Sequence, residues 1–166
     1  MRFPLSLGGL RSVARGVRKG STAVEMALVA PVFFLLLMGM TEIALFLTAQ
    51  QLLENATFNT SRLAKTGYTA NGKTQAQTVS QILNNELQSF GSFIDLTKVT
   101  MTATSYNSFT TIGTGGTSGL GTQDQIVVYT VTYPWMLFTP MLSQIIGTGG
   151  VVTLTSRIVV RNEPYG

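Results

Sequence analysis

The 166 residues contain no cysteine and no histidine. The first absence excludes disulfides and thiol nucleophiles, and the two together remove imidazole bases and most transition-metal sites. Acidic residues are missing from the beginning of the chain. Five of the 11 basic residues (Arg2, Arg11, Arg15, Arg18 and Lys19) precede Ser21, whereas none of the seven acids does. The formal charge of +4 therefore belongs to the first 20 residues, and from Ser21 onward six basic residues face seven acidic ones, a net of −1. A nucleic-acid-binding face is not what this basicity describes. The length favours a single domain.

Directly after the basic segment the chain reads RKGSTAVEMALVAPVFFLLLMGMTEIALFL from Arg18 to Leu47. Met26 to Thr41 is 16 residues without a charge, and the apolar run resumes past Glu42 to Leu47. As a helix, Val24 to Leu47 is about 36 Å long at about 1.5 Å per residue, enough to cross a bilayer. The basic residues flank only its N-terminal end, so the positive-inside rule puts residues 1–20 in the cytoplasm and residues 48–166 outside. A secretory signal has the same general order, but its best cleavage site, after Ala49, has Leu47 where a small residue belongs. A cut after Thr41, with Gly39 in the other small position, is weaker still. Pro31 and Glu42 also fit a simple export signal poorly, and paired arginines of the twin-arginine kind are absent.

Gly20-Ser-Thr-Ala-Val-Glu25 followed by MALVAPVFFLLLMGMTEIALF resembles the N-terminus of the TadE-like minor pseudopilins of tight-adherence (Tad, or Flp-type) pili, relatives of type IV pilins. Gln51 to Ala56 and Ser61 to Gly67 are similar to that family's juxtamembrane helix. VVYTVTYPWMLFTPML and Ile158 to Pro164 are similar to its last strands and tail, while Tyr68 to Thr122 is largely unmatched. The resemblance implies cleavage by a membrane-embedded prepilin peptidase between Gly20 and Ser21. It also implies partners among other pilins and pseudopilins and the Tad inner-membrane assembly platform. The expected location is the bacterial inner membrane, single-pass, with the N-terminus cytoplasmic, the C-terminal domain periplasmic, and the extracellular pilus as a further destination. The alternative is an uncleaved single-pass envelope anchor whose outer domain binds a partner or surface.

The residue chemistry is consistent with processing and assembly. Glycine imposes no side-chain bulk in a protease cleft, and Arg18 and Lys19 hold the junction at the cytoplasmic headgroups. Glu25 lies where a carboxylate can pair with the new α-amino group of a neighbouring subunit, relieving two charges in a low-dielectric bundle. Glu42 lies about 25 Å further along the helix, near the outer interface, where snorkelling accommodates it and helix packing is a second role. Pro31 removes a backbone donor and loosens the helix near Ala27, which serves either helix packing in a filament or nothing beyond a tolerated kink.

Beyond the span, the pattern predicts an α+β head: a long N-terminal helix continuing into it, a second helix and a small antiparallel sheet. Leu45, Ala49, Leu52 or Leu53, Ala56, Thr60 and Leu63 recur at three- and four-residue steps and form an inner stripe, with Gly67 as a stop. A second helix is expected from Thr74 to Phe90, with Ala76, Val79, Ile82, Leu83, Leu87 and Phe90 inward. Period-two alternation gives strands at Val99–Ala103, Val127–Tyr133 and Val152–Arg161. Tyr106–Thr122, rich in Gly, Ser and Thr, reads as an exposed mobile loop, and Trp135–Ile146 as a short apolar helix docked on the sheet or on the membrane. The glycine run Gly113–Gly121 lacks the Lys-Ser/Thr of a phosphate loop, and Asp95, Asp124 and Glu163 have no calcium-loop spacing. Trp135 with Tyr133 and Phe138 fits core or interface burial better than carbohydrate or base stacking. No catalytic constellation, cofactor, metal, nucleic-acid or small-molecule site is expected.

Overall fold

The computed structural model describes residues 8–89, 94–146 and 149–164, with side chains from Ser21 onward apart from those of 140 and 141. All side chains of the expected leader, the backbone of its first seven residues and Phe90 lie outside the described residues. Helix α1 spans Gly8–Ala64 and includes Pro31. Helix α2 spans Gln75–Gln88 and α3 Pro140–Ile145. The strands are β1 Thr100–Tyr106, β2 Thr117–Ser118, β3 Ile126–Met136 and β4 Val151–Arg161. Two compact units divide at Thr41 and Glu42. The architecture is α+β, as the alternation of residue patterns predicts.

The N-terminal unit holds the apolar part of α1. From Ser21 to Met40 its side chains are exposed, Ala30 and Gly39 excepted at intermediate burial. One helix among the described residues, within Ser21–Ala64, is long and apolar enough to cross a membrane, and its apolar window is not buried in the fold. A stretch of this kind is stable in hydrocarbon or against other helices, not in water.

The C-terminal unit is a helix pair on a four-stranded antiparallel sheet in the order β2-β1-β3-β4. Register runs from Thr100 opposite Thr132 to Tyr106 opposite Ile126, and from Ile126 opposite Arg161 to Met136 opposite Val151. Period two places Val127, Tyr129, Val131, Tyr133 and Trp135 on one face of β3, and all five are buried. Ala49, Leu53 and Ala56 of α1 and Leu83 and Leu87 of α2 meet Val131, Tyr133, Trp135 and Leu154 in the larger core cluster. Ala64, Val79, Val127 and Tyr129 form a second cluster. Burial of each large side chain contributes roughly 1.5–3 kcal/mol.

Local chemistry sets the ends of these elements. Gly67 adopts φ 71° after α1, and its N–H donates to the Ala64 carbonyl at 3.1 Å, the left-handed closure that glycine permits without a Cβ penalty. At Thr74 a reciprocal capping box starts α2: the Thr74 hydroxyl accepts from Gln77 N–H at 3.3 Å and the Gln77 side chain accepts from Thr74 N–H at 2.9 Å.

Beyond the candidate span, the structure departs from the sequence expectation at four places. Leu63 is exposed and Ala64 takes the inward position, so the stripe on α1 drifts by one residue at its end. On α2, Ala76 is exposed and Thr78 is buried. Strand β3 continues through Pro134 to Met136, so Trp135 is a strand residue and the following helix is confined to α3. The β1 register ends opposite Thr132, which leaves one edge of β3 open there, and a proline at an open edge removes no ladder bond. Finally, the Gly/Ser/Thr segment contains β2, paired with Thr104 and Ser105 of β1. The Asn162 amide group donates to the carbonyls of Leu120 and Thr122 at 3.0 and 2.9 Å and ties the far end of the segment to the chain after β4.

Candidate functional site

Gly20 and Ser21 lie in α1, so the peptide between them is helical. Glycine within a helix costs roughly 0.5–1 kcal/mol relative to alanine, which lowers the work of unwinding this turn. Four residues on, the Glu25 carboxylate accepts a hydrogen bond from the Ser21 hydroxyl at 3.1 Å. The i to i+4 spacing that makes this contact also stacks Glu25 over Ser21 on one helix face. Glu25 is exposed, and it is the one ionisable residue between Ser21 and Thr41. Pro31 follows without interrupting α1; the Ala27 carbonyl lacks the N–H that any other residue at position 31 would offer.

Glu42 lies in the other unit and has a different environment. It is 1% exposed. One carboxylate oxygen accepts from Phe138 N–H at 2.7 Å and the other from Thr139 N–H at 2.9 Å. Both are backbone donors in the turn between β3 and α3. Where the sequence placed this acid snorkelling at the interface, the fold turns it inward as a clamp on a segment 96 and 97 residues away. A buried acid is costly unless its oxygens find donors, and these two N–H groups supply them. The signal in the sequence was the acid itself. Its partners are main-chain groups, which no side-chain pattern reveals.

Three further acids each pair with a basic side chain. Asp95 is 3.5 Å from Lys98, Asp124 is 3.3 Å from Arg161, and Glu163 is 2.9 Å from Lys65. Hydrogen bonds from the Thr97 hydroxyl and then the Thr97 N–H hold the Asp95 carboxyl below its ordinary range. Among the described residues no group of three His, Cys, Asp or Glu is placed to hold a metal ion. Trp135 is buried beside Tyr133 and Phe46, in edge-to-face contacts with centroids 6.5 Å apart in each pair.

The family model described as TadE-like protein matches residues 20–62. Over that segment the chain is similar to TadE-like proteins. The matched segment takes in Gly20, Glu25, Pro31, Glu42 and most of the inward stripe of α1. The strands lie beyond it. No curated protein and no solved structure matches the chain. Among the described residues, the one helix of membrane length and apolarity, within Ser21–Ala64, fits a single-pass membrane protein.

Proposed function

We propose that the chain is a minor pseudopilin of a Tad-type adhesive pilus, cut after Gly20 by a prepilin peptidase and taking part in pilus assembly or initiation through its N-terminal helix. The supporting observation is the isolation of Glu25: one exposed carboxylate in the otherwise uncharged and largely uncovered Ser21–Thr41 stretch of α1, one turn from the residue that cleavage would make the new N-terminus. An ionisable side chain in hydrocarbon is costly, by roughly 2.5–3.5 kcal/mol at mid-span on insertion scales, and a cation from a neighbouring chain relieves that cost. The α-amino group at Ser21 of another subunit is such a cation. Pairing rewards lateral docking of helices and leaves the lone subunit at a disadvantage.

In this reading the leader is cytoplasmic, the head faces the periplasm, and the partners are the peptidase, other pilins and pseudopilins and the inner-membrane assembly platform. Glu25→Ala tests the role of the acid. The variant is expected to insert into membranes normally while its co-purification with other pilins falls at least about tenfold, the factor equivalent to 1.4 kcal/mol. Unchanged co-purification removes the assembly role from Glu25.

A further inference from the structure

Glu42 to Leu47, the first residues of the C-terminal unit, lie in an apolar patch that the described fold leaves open. Ile43 and Leu47 on α1, Met136 and Phe138 at and after the end of β3, and Ile145 and Ile146 at the end of α3 are between 46% and 70% exposed. Beside them is a cavity of about 240 Å3 whose walls, Glu42 apart, are apolar side chains from α1, the β3–α3 turn, α3 and β4.

The charges around this patch have been removed or compensated. Gln125 to Ser156, which supplies β3, α3 and half of β4, contains no Asp, Glu, Lys or Arg. The acid within the patch, Glu42, is buried with both oxygens on backbone N–H groups. At the margin, Lys98 borders Met136 and Phe138 and is paired with Asp95. A surface that meets water has no need of such arrangements, whereas hydrocarbon and its boundary demand them. Ile43 and Leu47 also close the apolar run that begins at Val24, so the patch is continuous in sequence with the candidate span.

We propose that this patch sits in the headgroup and acyl boundary of the leaflet at the C-terminal end of the span, so that the Met136–Ile146 segment anchors the head alongside α1. The occupant is lipid: apolar side chains of this kind reach about 5–10 Å into the boundary layer. Glu42 then serves the same arrangement, because it fixes the β3–α3 turn that presents Phe138 and α3. The inference rests on the reading of α1 as a membrane span.

The cysteine-free sequence allows a direct test, since any introduced thiol is unique. Ile145→Cys and Phe138→Cys in the full chain are labelled with a small fluorophore in vesicles of phosphatidylethanolamine and phosphatidylglycerol. Leu36→Cys reports on the span, and Asn84→Cys, exposed on α2, reports on water. Ile145 and Phe138 labels are expected to be quenched by lipids carrying a spin label high on the acyl chain, and to lose the iodide quenching seen at Asn84. Iodide quenching equal to that at Asn84, with Leu36 still quenched by lipid, overturns the patch while leaving the span intact. Labels at 138 and 145 that neither quencher reaches point to cover by a second protein chain and also overturn the proposal. A Leu36 label untouched by lipid overturns the span itself and the patch with it.

Discussion

Replacing Glu42 with alanine removes the acceptors of two backbone N–H groups, those of Phe138 and Thr139. A buried donor left without a partner costs about 1–3 kcal/mol. The Thr139 bond is buried and the Phe138 bond partly so. The turn therefore loses roughly 2–4 kcal/mol against local opening, with the lower figure applying where water enters the space left by the side chain. At tenfold per 1.4 kcal/mol, that is about a 30- to 700-fold rise in the opening equilibrium. Hydrogen exchange read by mass spectrometry on peptides covering the β3–α3 turn measures this directly in the full chain reconstituted in nanodiscs. Protection at Phe138 and Thr139 is expected to fall by that factor in Glu42→Ala and by less in Glu42→Gln, which keeps one acceptor. Peptides from α2, which has no contact with Glu42 through these bonds, should be unchanged. Unaltered protection of the turn in Glu42→Ala would show that the acid does not hold it, and would refute the clamp.

Two further substitutions probe the head. Leu53→Ala empties a fully buried position in the larger core cluster and is expected to destabilise the head by about 2–5 kcal/mol in denaturant unfolding, with the slope unchanged. Asn162→Ala removes the amide donors from the Leu120 and Thr122 carbonyls and should cost about 1–3 kcal/mol, appearing as faster proteolysis between Asn107 and Gln125 with little change in α2.

The helices were legible in the sequence because their chemistry is local and repetitive. An uncharged run of membrane length and apolar residues at three- and four-residue steps each specify helix without reference to distant residues. The polar residues on the inward face of α1 were harder to read. Thr57 and Ser61 are buried because their hydroxyls bond to the carbonyls of Leu53 at 2.6 Å and Phe58 at 2.8 Å, which hides their polarity inside the helix itself. Strands were visible where threonine alternates with valine or isoleucine. Pro134 ended the β3 pattern early because a proline's tolerance in a strand depends on which edge is open, a property of the sheet and not of the sequence. Strand β2, two residues among glycines and serines, has no periodicity to display and exists through its pairing with β1. At the candidate site, the four-residue step from Ser21 to Glu25 is enough to predict that the two share a helix face. The partners of Glu42 were not legible, because backbone N–H groups nearly a hundred residues away carry no sequence signature.

The most direct test of the account is the N-terminal residue of the protein isolated from the membranes of its native host, read by peptide mass spectrometry. The account predicts that the mature chain begins at Ser21, with Glu25 as its fifth residue. A mature chain that still carries the basic segment ending in Arg18, Lys19 and Gly20 would contradict it and leave an anchored, unprocessed protein in its place.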